Sequence, residues 1–266
     1  VATNVEWGGN SVEIGYTLAP AARGHGIVTE AVGAVVDALI GGGARRVRAE
    51  THPDNVASLR VLERLGFDEE GTDVGAYWVG DPPDEIVSDN VRYGMTAERR
   101  KAWLDRPLQP PAEVTLVELT NDSARTYGGL ATHRTQRAFV SPMANSFRDA
   151  LVPPVNDAGE LVVPWFRGIE ADGVAVGFLM VADVSPTEPD PMLWRLLIDR
   201  WHQRRGIGES VILEVAAMYR ARGCRRLLTS YGQGRGSPEP FYARLGFVPT
   251  GQIEDGEIVA ALDLAS

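Results

Sequence analysis

The sequence predicts an α/β protein, a mixed central sheet flanked by helices, laid down twice in one chain. Three observations carry this: a repeat at one fixed offset, apolar runs that alternate between strand and helix spacing, and a Pro-rich break between the copies. Arg23, Gly26, Leu65, Gly66 and Phe67 recur as Gln203, Gly206, Leu245, Gly246 and Phe247, every pair separated by the same 180 positions. The stripe Ile27, Ala31, Val35 recurs as Ile207, Val211, Val215 at that offset. One match could be chance; a whole register is a duplicated supersecondary unit.

In the second copy, Leu193 to Ile198 is a short apolar run and reads as a strand. Asp199 to Arg205 is polar and turns, and from Gly206 the apolar positions 207, 211, 215 and 218 have helical spacing, closed by Gly223 as a C-cap glycine. Arg226 to Tyr231 is the next strand, Gly232 to Pro238 a Gly-rich loop, Glu239 to Leu245 a short helix, and Phe247 opens another strand. The first copy repeats the order: Val12 to Leu18, Gly24 to Ile40, Arg46 to Thr51, Val56 to Leu65, then Phe67 onward. Pro107, Pro110 and Pro111 mark residues 103–112 as a linker. The division is thus 1–102, 103–112 and 113–266. Ahead of Ile198 the second domain has room for an opening strand (Val114 to Leu119), helices around Asp122 to Phe139, and a hairpin pairing Trp165 to Glu170 with Val174 to Val181 at Asp172-Gly173. The first copy has only 17 residues ahead of Leu18 and is read as lacking its N-terminal half. Its open half-sheet would expose an edge, to be covered by the second domain or by a partner chain, a homodimer included.

Composition narrows the function. Lys plus Arg is 26 against 36 Asp plus Glu, a net charge of -10, which repels phosphate backbones and anionic lipid and suits an amine substrate. Cys224 is the only cysteine, so no internal disulfide forms and a cytoplasmic setting fits. No apolar run approaches the roughly 18 residues of a membrane span, and the start at Val1 has no signal-peptide pattern. With four scattered histidines, no zinc or Cys–His pattern exists, and no metal is expected.

The chemistry concentrates at Gln203-Arg204-Arg205-Gly206-Ile207-Gly208, between a strand and a helix. The first helical turn there has free N–H groups, and the helix dipole favours an anion. Gly206 and Gly208 lack Cβ atoms and would let a pyrophosphate approach, with Arg204 and Arg205 adding charge.

This turn, followed by Phe241-Tyr242-Ala243-Arg244-Leu245-Gly246-Phe247, resembles the GNAT N-acetyltransferase family. The resemblance implies a GNAT fold and acetyl-CoA. It implies a pyrophosphate loop at Gln203–Gly208, backbone groups of Ile198 and Arg200 for the pantetheine and acetyl carbonyl in a splay between two strands, and Tyr242 protonating the departing thiolate. A tyrosine suits that task, its reference pKa of about 10 lying near that of a thiol. An amine of pKa about 10.4 must also lose a proton. Glu239, Asp199, His202 and Glu160 are the candidate bases, with Glu239 and Tyr242 expected as the catalytic pair. Gln136, Phe139-Val140, Asn145, Ser146 and Leu193 to Asp199 resemble the bacterial spermine/spermidine acetyltransferase branch, which implies a polyamine-like acceptor. The alternatives are a peptide N-terminus as acceptor, or an inactive acetyl-CoA-binding scaffold.

The first copy resembles the ribosomal-protein N-acetyltransferase branch through Glu13-Ile14-Gly15-Tyr16, Arg23-Gly24-His25-Gly26 and Asn55-Val56-Ala57-Ser58. That resemblance implies cofactor contacts at Arg23, Gly24, Gly26, Asn55 and Ser58; Asn55 also reads as a helix cap. Against a working site, the offset puts Leu62 where Tyr242 stands and Val28 where Gly208 stands, so Val28 should crowd the turn. The first copy is therefore expected to be mainly structural.

Overall fold

The computed structural model describes residues 11–79, 86–156 and 158–265. The chain forms two compact units that divide between Arg106 and Pro107.

Unit 1 contains β1 (Ser11–Glu13), α1 (Ile27–Gly41), β2 (Arg46–Thr51), α2 (Val56–Leu65), β3 (Asp68–Val79), β4 (Ile86–Thr96) and α3 (Ala97–Asp105). Its sheet runs β1-β2-β4-β3, the first pair parallel and the others antiparallel. The amphipathic helices α1 and α2 lay Val32, Val36, Leu59 and Leu62 on the inward residues Val47, Ala49, Val91, Tyr93 and Met95. The opposite face is polar: Arg48 pairs with Glu13 at 3.2 Å, Arg92 with Asp73 at 2.7 Å, and Arg46 with Glu70. Helix α3 closes the end of the unit. Arg100 bridges to Asp37 and to the Leu65 carbonyl, and Trp103 lies over Gly66 so closely that a Cβ there would sit 2.2 Å from the indole. Trp103 to Asp105, read from sequence as the start of the linker, form the last turn of this helix.

Unit 2 contains β5 (Val114–Val117), α4 (Asn121–Gly128), α5 (Met143–Leu151), β6 (Pro164–Ala171), β7 (Val174–Ala182), β8 (Met192–Ile198), α6 (Ile207–Ala221), β9 (Arg226–Tyr231), α7 (Glu239–Arg244), β10 (Val248–Glu254) and β11 (Glu257–Asp263). The seven strands run β10-β11-β9-β8-β7-β6-β5, with β8–β9 parallel and the other pairs antiparallel. Helices cover both faces. Val211, Val215 and Tyr219 of α6 and Tyr242 of α7 pack on one, while Tyr127 of α4 and Met143 of α5 pack on Phe178, Met180 and Leu197 on the other. The β6–β7 hairpin turns at Asp172 and Gly173, both at positive φ, as a two-residue turn of this hand requires.

The repeat read from sequence is a repeat of structure. α1 and α6 have the same bounds after the offset, and so do β2 and β9. Two expectations change. The strand expected to run from Val12 to Leu18 ends at Glu13, because the chain leaves β2 there. Of the helices expected around Asp122 to Phe139, only α4 forms and it stops at Gly128; Arg134–Gln136 is a single 3-10 turn, and a further helix, α5, follows Pro142.

Candidate active site: two splayed strand pairs

In unit 2, β8 and β9 pair at only two positions, Met192 with Leu228 and Leu193 with Thr229. Beyond them a register shift between Met180 and Val181 of β7 accommodates the extra residue Trp194, and β8 diverges from β9. Asp199 donates its N–H to the Val176 carbonyl, so strand alternation turns the N–H and C=O of Ile198 toward the open side. That carbonyl accepts from Gln203 Nε2 at 2.9 Å. Arg200 differs from expectation: its N–H donates to the Ala131 carbonyl at 3.0 Å and is engaged within the protein.

The turn at the mouth of the splay is pinned from behind. The Asp199 carboxylate accepts from the N–H groups of Ala131 and Trp201, and Gln203 donates to Gln136. Gly206 is the N-cap of α6 at φ 79°, ψ -6°, with no side chain capping the helix, so the first-turn amides keep their polarity at the surface. Arg204 is exposed at φ 67°. Arg205 is buried, and its guanidinium donates to the Gln109 carbonyl at 2.8 Å and reaches His202 and Asp172. It therefore braces the turn instead of adding charge at its mouth. Gly208 also has an inward reason: a Cβ there would lie 3.3 Å from the Phe241 ring.

Tyr242 lies at the apex of the splay. Its hydroxyl hydrogen-bonds Thr229, the last β9 residue paired with β8, and its ring packs on Tyr231, Phe241 and Phe247. Burial pushes its phenol up to about 12, the Thr229 bond opposes this, and the nearby Glu257 carboxylate adds to the rise. Of the candidate bases, Asp199 is the turn's pin and Glu160 is exposed, bonded to Thr187. His202 is half-buried against Arg205, and burial lowers its pKa. Glu239 is exposed at the start of α7; burial raises the Tyr231 phenol, and the Glu239 charge adds to the rise.

A polar group that the sequence reading missed lies on the other side of the same gap. Glu257 of β11 accepts from Ser230 Oγ of β9 at 2.6 Å, and Arg195 of β8 pairs with Asp149 of α5 at 3.2 Å. The Arg195 guanidinium also feels the Glu257 charge. The only sequence signal is a charge immediately ahead of the apolar run Ile258 to Leu262.

Unit 1 has the same construction. β1 and β2 pair from Ser11 to Glu13, Ile14 N–H reaches the Arg48 carbonyl, and the strands then part around a cleft of ≈ 200 Å³. Its walls include Gly15, Tyr16, Ala49, Thr51, Asn55 and Ser58. Gly26 caps α1 at φ 78°, ψ -6°, again without a side-chain cap. Gly24 has a positive φ as well, which is why α1 begins at Ile27. Arg23 is exposed beside it. Asn55 caps α2, accepting from the Ser58 N–H at 3.2 Å. Val28, which stands where Gly208 does in unit 2, packs on the core shared by α1, α2 and the sheet.

Residues 2–68 match the sequence model of the acetyltransferase (GNAT) domain, and residues 130–247 match that of the acetyltransferase (GNAT) family. The chain therefore carries two GNAT acetyltransferase domains, of a family whose cofactor is acetyl-CoA. A 59-residue stretch is 49% identical to "Probable N-acetyltransferase YjcK" of Bacillus subtilis (strain 168), covering 22% of this chain and 33% of that protein, so the match spans a third of the relative's length. Among solved structures, Mycobacterium smegmatis RimJ in complex with CoA-disulfide is 33% identical over 36% of this chain and 44% of its own, with a TM-score of 0.32. The PaiA N-acetyltransferase from Thermoplasma acidophilum, in complex with coenzyme A, is 15% identical over 57% and 99%, with a TM-score of 0.40. Among the described residues no helix is long and apolar enough to cross a membrane, and no cluster of His, Cys, Asp or Glu could hold a metal.

Proposed function

We propose that unit 2 moves the acetyl group of acetyl-CoA to a primary amine of a small, polyamine-like cation. The observation that carries this is the placement of Tyr242 at the apex of the β8–β9 splay, with the uncapped Gly206 turn at its mouth. The residues present fit the cofactor: the Gln203–Gly208 turn offers first-turn amides to a pyrophosphate, and Gly206 presents no Cβ. Ile198 offers its main chain to an extended arm lying in the gap as an added strand. Acetyl-CoA supplies an activated thioester. Tyr242 keeps its proton at neutral pH and donates a hydrogen bond, then the proton, to the sulfur as charge develops there.

The acceptor approaches from the side of Asp149, Ser230 and Glu257. An ammonium of pKa about 10.4 is neutral in roughly one molecule in a few thousand at pH 7, so its proton must be taken. Glu257, whose charge reaches the Tyr242 phenol, is better placed for this than the exposed Glu239. The net charge of -10 favours cationic acceptors over long range.

The test is Tyr242→Phe in a CoA-release assay over polyamines, amine-bearing antibiotics and peptide N-termini. We expect polyamines to be turned over best, with a KM that rises with salt as screening grows. Tyr242→Phe should cut kcat by about 10²–10⁴-fold with little change in acetyl-CoA affinity. Unchanged kcat would remove Tyr242 from the mechanism; no turnover of any polyamine would reject the acceptor class alone.

A further inference from the structure

The 180-residue offset pairs Tyr242 with Leu62 and Leu196 with Tyr16. The two units have thus exchanged a tyrosine and a leucine. In unit 2 the phenol comes from α7, and Leu196 of β8 packs on the same core cluster. In unit 1 Leu62 of α2 is buried in the core, and Tyr16, two residues past Ile14 where the strands part, packs against that core. Loss of the tyrosine from α2 therefore does not leave unit 1 without a phenol. Tyr16 lines the cleft between β1 and β2 and donates its O–H to the Ser58 carbonyl, in the first turn of α2, at 3.2 Å.

We propose that the unit 1 cleft is a second thioester-handling site, in which Tyr16 supplies from the strand side the proton that α7 supplies in unit 2. Three further observations support it. The turn at Gly26 has the backbone angles of the turn at Gly206. Val28 packs against the core of the unit. Burial holds the Tyr16 phenol protonated, up to about 12, with a hydrogen bond to the Ser58 side chain partly offsetting the rise. In the step, the acceptor nitrogen bonds to the thioester carbon as the C–S bond breaks. Tyr16 gives its proton to the leaving sulfur and regains the one the nitrogen sheds, so the thiol and the amide are the only products. The inference shares with the reading of unit 2 only the identity of the cofactor.

The experiment is calorimetry of the full chain with acetyl-CoA, beside CoA release on the same amine panel. Wild type should bind two acetyl-CoA per chain. Gly15→Trp should remove one of them: Gly15 lines the cleft, and a Cβ there meets nothing within 4 Å, so melting should be unchanged. Tyr16→Phe should keep both sites, yet in the Tyr242→Phe background it should lower the residual CoA release by about 10²-fold. One site per wild-type chain overturns the proposal, as do two sites indifferent to Gly15→Trp. Residual release that ignores Tyr16, or two sites with no release for any amine, overturns the proton-donor role. Should Gly15→Trp melt early, the wild-type stoichiometry and the Tyr16→Phe comparison still decide. Failure of the unit 2 reading is seen separately, as an unchanged kcat in Tyr242→Phe alone.

Discussion

The two units share a backbone to within a few degrees at their helix-capping glycines, Gly26 at φ 78° and Gly206 at φ 79°, and differ in what stands around it. The clearest difference is the second face of the sheet. In unit 2 helices α4 and α5 bury Phe178, Met180 and Leu197 there; in unit 1 the described residues place half-exposed ion pairs on it. A duplicated unit thus keeps the apolar stripe that folds it, while the other face follows whatever covers it. The contrast sets a scale for substitutions. Phe178 is wholly buried, 6.1 Å from Phe147 and 6.2 Å from Phe166, centroid to centroid. Phe178→Ala should cost about 3–5 kcal/mol, read by chemical denaturation of the full chain with a probe of unit 2. A cost below about 1 kcal/mol would mean that the helix-covered face contributes no more than the polar one.

Gly66 and its repeat Gly246 should separate next. Both have positive φ, but a Cβ at Gly66 would overlap the Trp103 ring, whereas at Gly246 it would meet only a Leu262 methyl at 3.3 Å. Gly66→Ala must displace α3 and should cost about 1–3 kcal/mol beyond the φ penalty the two positions share. Equal losses at both would show that α3 is not held by this contact.

The strand and helix order was legible because it depends on local spacing. The stripe 207, 211, 215 specifies α6 wherever it is folded, and its copy specifies α1. What the sequence concealed is tertiary. Arg205 reads as a charge beside an anion site, but its guanidinium turns back to Gln109, which no spacing rule reveals. Glu257 and Ser230 lie 27 positions apart and meet only because β11 pairs with β9. Gly208 reads as clearance for a ligand, yet the ring of Phe241 comes closest to it. At the offset positions, unit 1 carries Val28 and Val61, both packed on its core: the pair Gly–Phe has become Val–Val.

That exchange is itself testable. Gly208→Val alone should cost about 1–3 kcal/mol, because its Cβ presses on Phe241. The double change Gly208→Val with Phe241→Val recreates the pairing of unit 1 and should recover part of the loss, a favourable coupling of about 0.5–2 kcal/mol in a double-mutant cycle. Additive losses would mean that the two positions do not compensate and that the glycine serves the turn alone. An intact acetyl-CoA affinity in the double variant would show the turn tolerating Val at this place, as unit 1 does.

The smallest effect belongs to the polar face of unit 1. Arg92 and Asp73 approach to 2.7 Å, but both side chains are more than two-fifths exposed, so solvent screens their attraction. Arg92→Ala should cost less than about 1 kcal/mol, and the loss should shrink as salt is raised. The Phe178→Ala loss should not shrink with salt, since burial of apolar surface carries no screened charge. The salt dependence therefore separates the faces even where the absolute costs overlap. If Arg92→Ala costs several kcal/mol and is indifferent to salt, the pair is shielded from water by something seated on that face. The sheet of unit 1 would then be covered in solution, as that of unit 2 is by α4 and α5.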